Sequence, residues 1–394
     1  MGSLLKETRN FCLPLPQLTE VSFLCETKQE QDKLERDALV QDGCGQQSEQ
    51  AQDVQLQDSC GQQGEQAQDN CGQQSEQAQS KQQVSITVLT DETLFSTCGV
   101  RIAFTQRGGG SSKNEYSSLN LSSAVGDLPA CVSENRRCLM QAMGIESKAI
   151  QKRLIVPKQV HETDILTVKN LEDVPRNEQS VDAVMSLVKD VPVLLCFADC
   201  VPIIIVAPTG SFCVVHAGWR GALAGIAQKS LEALSKSAKV SPDECNIYIG
   251  PHIGYCCFET SSDIFQRFVQ EYGEDVCTGS CSAAEQLSAE LPNVKQPNAS
   301  SSVCSAAEKP SVEQSSAAEL PREQALNKAN EQLLKPHIDL SSVVICSLLR
   351  AGANKERIKD ANKCTSCNND VYFSYRAQNA HAGRHAAFAI QRLE

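Results

Sequence analysis

The stretch Val193-Leu194-Leu195-Cys196-Phe197-Ala198-Asp199-Cys200-Val201-Pro202-Ile203-Ile204-Ile205-Val206, followed by Phe212-Cys213-Val214-Val215-His216-Ala217-Gly218-Trp219-Arg220-Gly221, decides the fold. Its three short apolar runs, 193–197, 203–206 and 212–216, predict strands. Asp199-Cys200 interrupts the first two at a loop, and a polar pair wedged there calls for a reason. His216 ends the third run and enters a strand-to-turn-to-helix junction. Small residues at that junction let backbone come close to a ligand, and Arg220 stands near the start of the following helix, where an anion is favoured.

Outward from this stretch, strands are predicted at 84–89, 100–105, 153–156, 165–168, 183–188, 247–249, 343–348 and 371–375. Helices are predicted at 132–143, 222–237, 262–272, 323–334 and 355–361. The two kinds are intermixed without strict βαβ alternation, so one mixed-sheet α/β domain is expected rather than a Rossmann fold. Gly108-Gly109-Gly110 follows a strand but has neither dinucleotide-binding nor Walker spacing.

The chain has 394 residues and its composition is uneven. Residues 44–80 are nearly all Gly, Gln, Ser, Glu, Ala and Asp, and the run beginning at Cys44 returns at Cys60 and Cys71. Such a stretch has too few large apolar side chains to offset the entropy of ordering. Residues 1–83 are therefore expected to be largely disordered, and 278–321, with its own repeat at Cys281 and Cys304, a disordered insertion in a catalytic domain spanning 84–394. Most of the net charge of −12 falls in these two segments, so the acidity says nothing about a substrate. The remainder lacks the basic excess of a nucleic-acid binder, and no nucleic-acid partner is expected.

No apolar signal region follows Met1, the best apolar run (191–208) is broken by Asp199 and interior prolines, and no transmembrane segment is expected. With 20 Cys and no secretory signal, reduced thiols in a cytoplasmic protein are the simpler reading. Association with peroxisome, nucleus or endoplasmic reticulum through a partner stays open. Cys364-Thr365-Ser366-Cys367 is one CxxC with no second pair near it in sequence, which reads as two free thiols, and Cys256-Cys257 reads as packing.

His161, Cys200 and His216 form the principal constellation. Two imidazoles and a thiolate fill three tetrahedral positions on zinc and leave the fourth open, as a catalytic site requires. The intervals of 39 and 16 residues are too long for a zinc finger and suit ligands delivered by separate strands. Two other readings stand beside it: a hydrolase with Cys200 as nucleophile and His216 as base, which leaves His161 unused, and a scaffold whose acidic repeats recruit metabolic-enzyme partners. Copper in a four-copper cluster is excluded by counting, because such a cluster needs about ten imidazoles. This chain has six His and no His-x-His.

Tyr116-Ser117-Ser118-Leu119-Asn120-Leu121, Gln159-Val160-His161, Asp182-Ala183, Ala198-Asp199-Cys200-Val201-Pro202, His216-Ala217-Gly218-Trp219-Arg220-Gly221, Ile249-Gly250-Pro251-His252-Ile253 and Phe373-Ser374-Tyr375-Arg376 together resemble the laccase-domain family. Its members are also called multicopper polyphenol oxidoreductases and are recognised as purine nucleoside phosphorylases. The resemblance implies an α/β/β/α sandwich and zinc on His161, Cys200 and His216. It also implies phosphorolysis of adenosine, inosine, guanosine and S-methyl-5'-thioadenosine with phosphate as co-substrate, adenosine deamination, and a place in macrophage immunometabolism. One departure is visible: Ala377 follows Arg376 where the family pattern has a second Arg. For these reactions Arg107, Arg220 and Arg376 are expected to bind phosphate or surround the leaving purine, and Asn120 to orient sugar or base. Asp199 is a candidate general acid and equally a partner orienting a ligand His.

Overall fold

A computed structural model of the chain describes residues 11–27, 82–279 and 335–392. Eleven strands among these residues form two sheets: β1 (Thr19–Thr27), β2 (Gln82–Thr90), β3 (Val100–Thr105), β4 (Ile165–Val168), β5 (Ala183–Ser186), β6 (Val193–Phe197), β7 (Val201–Val206), β8 (Phe212–Ala217), β9 (Asn246–Ile249), β10 (Ile358–Asp360) and β11 (His385–Gln391). The helices are α1 (Glu92–Cys98), α2 (Pro129–Ala142), α3 (Lys148–Gln151), α4 (Trp219–Leu223), α5 (Ile226–Ala238), α6 (Ser262–Tyr272), α7 (Glu274–Cys277) and α8 (Leu340–Arg350).

One sheet has the order β1-β2-β3-β11-β6 and the other β10-β9-β7-β8-β5-β4. The first is antiparallel along its strands, with a parallel bridge from Ile155 to Val193 at its edge. The second mixes parallel pairs, β9–β10 and β4–β5, with antiparallel ones.

Side-chain alternation stacks the layers. In β6, Val193, Leu195 and Phe197 face the gap between the sheets, where Ile204 and Val206 of β7 and Phe212 and Val214 of β8 meet them. Leu194 and Cys196 turn the other way, to a cluster with Cys138 and Leu139 of α2. The odd residues of β7 and β8, among them Ile203, Ile205, Cys213 and Val215, pack against Ile226, Leu231 and Leu234 of α5 and Val343 and Val344 of α8. The result is the expected α/β/β/α sandwich. Strands buried on both faces need the unbroken apolar runs seen in the sequence, and each such Ile or Val contributes roughly 1.5–3 kcal/mol.

Several local expectations change. Residues 11–27 belong to the fold although 1–83 reads as largely disordered: β1 adds an edge strand whose Cys25 enters the core, and Leu13 is buried between the sheets. Asp91, itself buried, ties this segment down by accepting hydrogen bonds from the Gln17 amide (3.0 Å), the Tyr248 hydroxyl (2.8 Å) and the Leu94 amide at the start of α1 (2.9 Å). The repeats at 44–80, the insertion from residue 280 onward and the helix expected at 323–334 lie outside the described residues.

The run 343–348, expected as a strand, lies within α8, which Asp339 caps by accepting from the Ser342 amide at 3.0 Å. The helix expected at 355–361 is a single 3₁₀ turn leading into β10. Residues 371–375 form turns rather than a strand. The helix expected at 222–237 is broken into α4 and α5 at Gly225, whose φ of 74° suits glycine. β11, unread in the sequence, is a central strand paired on both sides.

Candidate metal centre

His216 lies near the end of β8 with the parity of Phe212 and Val214, so its ring points into the gap between the sheets, 5.3 Å from the Phe197 ring. The turn carrying His161 brings a second imidazole edge-on, with ring centroids 4.8 Å apart. Cys200, in the tight β6–β7 connection, places Sγ 4.0 Å from His161 Nε2. The ligand atoms of all three residues lie within 4.8 Å of one another. Bond lengths to tetrahedral zinc require a sulfur-to-nitrogen separation of about 3.6 Å. The Cys200–His161 pair is thus about half an ångström wider than zinc requires, and two imidazoles with a thiol are a donor set that suits the metal.

Asp182, fully buried just before β5, organises the centre. Its Oδ1 lies 2.8 Å from His216 Nδ1 and accepts the His161 amide at 2.9 Å. Its Oδ2 accepts the Glu162 amide at 2.8 Å and the Val160 amide at 3.1 Å. Burial opposes the Asp182 charge, but the His216 ring and these amides outweigh it and hold the carboxyl below its ordinary pKa. With Nδ1 engaged, His216 offers Nε2 to a metal. His161 itself has φ 63°, a left-handed conformation that a residue with a side chain seldom adopts. The three amides gripped by Asp182 hold the turn that way.

Burial also opposes the Cys200 thiolate, yet His216 and His161 beside it bring the thiol down to about 6. A thiolate is what a metal or a nucleophilic role needs. Gly218 completes the pocket for sterics alone: a Cβ there would meet His161 Cδ2 at 2.7 Å and Cys200 Sγ at 3.4 Å.

The other expected residues divide. Arg220 is exposed and stacks on the Trp219 ring at 4.4 Å. Arg376 is committed to bracing: its guanidinium donates to the Cys257 carbonyl at 2.9 Å and the Glu259 carbonyl at 3.0 Å. Arg107 donates to the Ser117 and Asn369 carbonyls and lies over the Phe373 ring. Asn120 is fully enclosed, its amide engaged by Ser122, Asp127 and the Arg384 backbone. That arrangement gives it a place in the wall in place of the expected contact with sugar or base.

Asp199 orients no histidine. Its carboxylate accepts the Thr365 hydroxyl and the Arg376 amide, both at 2.7 Å, which fixes the 365–376 loop beside Cys200. Sequence reasoning leaves Asp182 and Gly218 out of the candidate site residues. Asp182 stands in the Asp182-Ala183 motif at the start of the apolar run 183–188, but what it holds is visible only where its four partners meet in three dimensions.

The class is that of four-layer α/β/β/α sandwiches with two imidazoles and a thiol converging at the strand ends. Residues 101–302 and 298–392 match the family model for the multi-copper polyphenol oxidoreductase laccases, and the chain belongs to that family. It is 28% identical over 303 residues to the purine nucleoside phosphorylase YlmD of Geobacillus stearothermophilus, covering 75% of this chain and 92% of the relative. It is 25% identical over 295 residues to the adenosine deaminase RL5 of an unknown prokaryotic organism, covering 73% and 92%. The crystal structure of YlmD from Geobacillus stearothermophilus superposes with a TM-score of 0.55 at 26% identity, over 75% of this chain and 93% of that one.

Proposed function

We propose that the chain is a zinc-dependent purine nucleoside phosphorylase that cleaves adenosine, inosine, guanosine and S-methyl-5'-thioadenosine, and that it deaminates adenosine at the same centre. The observation that carries this reading is the convergence of His161, Cys200 and His216 with Asp182 fixed on the far side of His216. The names of the relatives, a phosphorylase and a deaminase, supply the substrate class. No helix among the described residues is long and apolar enough to cross a membrane.

In phosphorolysis a phosphate oxygen attacks the anomeric carbon, the glycosidic C–N bond breaks, and its electron pair leaves with the purine, which takes up a proton. Arg220, exposed beside the centre's own turn, binds the phosphate and offsets its charge. Arg384, partly buried, has the Cys200 and Asp199 charges among its neighbours and adds positive potential. Tyr375, 52% exposed and 5.8 Å from Arg384, offers a ring face to the purine. In deamination water adds at C6 and ammonia leaves. Zinc, when bound by His161, Cys200 and His216, supplies Lewis acidity at the open fourth position.

The test is phosphate-dependent release of base from inosine and adenosine, and ammonia release from adenosine, alongside zinc content, for wild type and Cys200→Ala. Loss of both activities together with zinc from this centre supports a shared metal site. Persistence of either activity sinks it. Ester or amide hydrolysis by wild type stripped of zinc with a chelator, and absent from Cys200→Ala, would revive the Cys200–His216 hydrolase, and absence of any turnover would favour a scaffold for metabolic enzymes.

A further inference from the structure

Two cysteine pairs that the sequence separates by more than a hundred residues meet in the fold. The loop after β9 carries Cys256 and Cys257, and the turn after β10 carries Cys364 and Cys367. Cys367 Sγ lies 3.5 Å from Cys256 Sγ and 3.4 Å from Cys257 Sγ, and all four sulfurs fall within 4.8 Å of one another. All four are free thiols. Four thiolates on tetrahedral zinc, at about 2.3 Å each, stand about 3.8 Å apart.

Two further features point the same way. The Gly254 and Cys367 amides donate to Cys364 Sγ at 3.3 and 3.5 Å, so backbone N–H groups are aimed at a sulfur as they are where a thiolate is held for a metal. Gly254 is pressed into the cluster: a Cβ there would stand 3.2 Å from Cys364 Cβ and 3.4 Å from Cys256 Sγ.

We propose that Cys256, Cys257, Cys364 and Cys367 bind a second zinc ion in a closed, four-thiolate structural site. Cys364 and Cys367 are free thiols, as expected from sequence, and the proposal adds a metal that they share with Cys256 and Cys257. Binding displaces the four thiol protons and locks the two loops together. The lock reaches the first centre, because Thr365, inside the CxxC, donates to the Asp199 carboxylate, and Arg376, which also donates to Asp199, grips the Cys257 carbonyl. Asp199 immediately precedes Cys200. The second ion therefore positions the first centre's surroundings without touching its substrate.

The test is metal content of the full chain. Roughly two zinc equivalents are expected for wild type, about one for Cys200→Ser and about one for Cys364→Ser/Cys367→Ser. Should the double variant fail to fold, cobalt(II) loading of Cys200→Ser decides. A tetrahedral spectrum with intense sulfur-to-cobalt charge transfer of the four-thiolate kind, abolished by adding the single change Cys364→Ser, supports the site. A wild-type chain with one equivalent that Cys200→Ser removes overturns it, as do disulfides found among these four cysteines by mass. Zinc retained at this cluster by a chain with no phosphorylase or deaminase turnover would leave the second site standing while defeating the function proposed above.

Discussion

Asp182 Oδ1 sits 2.8 Å from His216 Nδ1 while the same carboxylate gathers three consecutive backbone amides from Val160 to Glu162. One buried side chain thus sets the ring of one ligand and the backbone of another. Asp182→Asn replaces an oxygen with an NH₂ group that cannot accept from those amides. Zinc affinity at the first centre is expected to fall about 10–100-fold, read by competition with a chelator. An affinity unchanged within error would remove Asp182 from the centre's support.

Gly218→Ala should be as damaging as loss of a ligand. Its φ of −68° is available to alanine, so backbone strain plays no part. The added methyl would instead occupy the space of the His161 ring, 2.7 Å from Cδ2. The expected outcome is a folded chain, by circular dichroism and thermal midpoint, that has lost the zinc of this centre.

His385 is buried with neither ring nitrogen hydrogen-bonded. Burial, with the Arg384 and Arg107 charges adding to it, drives its pKa down to about 3, and the Pro251 carbonyl opposes the drop without making a bond of good geometry. The folded value lies below the unfolded one, so the neutral ring is favoured by folding. Stability from this group is full above the unfolded pKa of about 6.5 and is lost as pH falls from there toward 3. The linkage slope gives about 2 kcal/mol between pH 6.5 and about pH 5. Urea unfolding of His385→Phe across that range should show a shallower fall than wild type, and parallel curves would refute the assignment.

Deleting residues 1–27 should destabilise the chain although the segment reads as dispensable. The deletion removes buried Leu13 and Cys25, the Gln17 bond to Asp91, and the partner strand of β2. A loss of about 3 kcal/mol or more is expected in denaturant unfolding, with aggregation through the newly exposed edge of β2.

The strands around the centre were legible because β6, β7 and β8 are buried on both faces and so write continuous apolar runs, and His216 and Cys200 stand out where those runs stop. Elsewhere tertiary packing overrode local preference. Val343-Val344-Ile345 looks like a strand, yet its side chains fill the space against the second sheet as the helix α8, whose start is signalled by Asp339. β11 has three alanines among its seven residues, too small to announce a strand, because it passes through the crowded middle of the first sheet. In β1 the alternation of Val21, Phe23 and Cys25 is present but sits beside repeats that drown it. His161, Cys200 and His216 could be singled out one by one from their surroundings, and the fold brings them together. Asp182 and the four-cysteine cluster could not, since their meaning lies in partners distant along the chain.

β11 also dictates when the fold can close. The middle of its sheet is supplied by residues 385–391, which must slot between β3, some 280 residues earlier, and β6. Until those residues leave the ribosome, β3 and β6 have no shared partner, and each presents an open backbone edge where the sheet should be continuous. A chain stopped short of residue 385 therefore has its first sheet split between β3 and β6, with two unpaired edges that make it a substrate for chaperones and proteases.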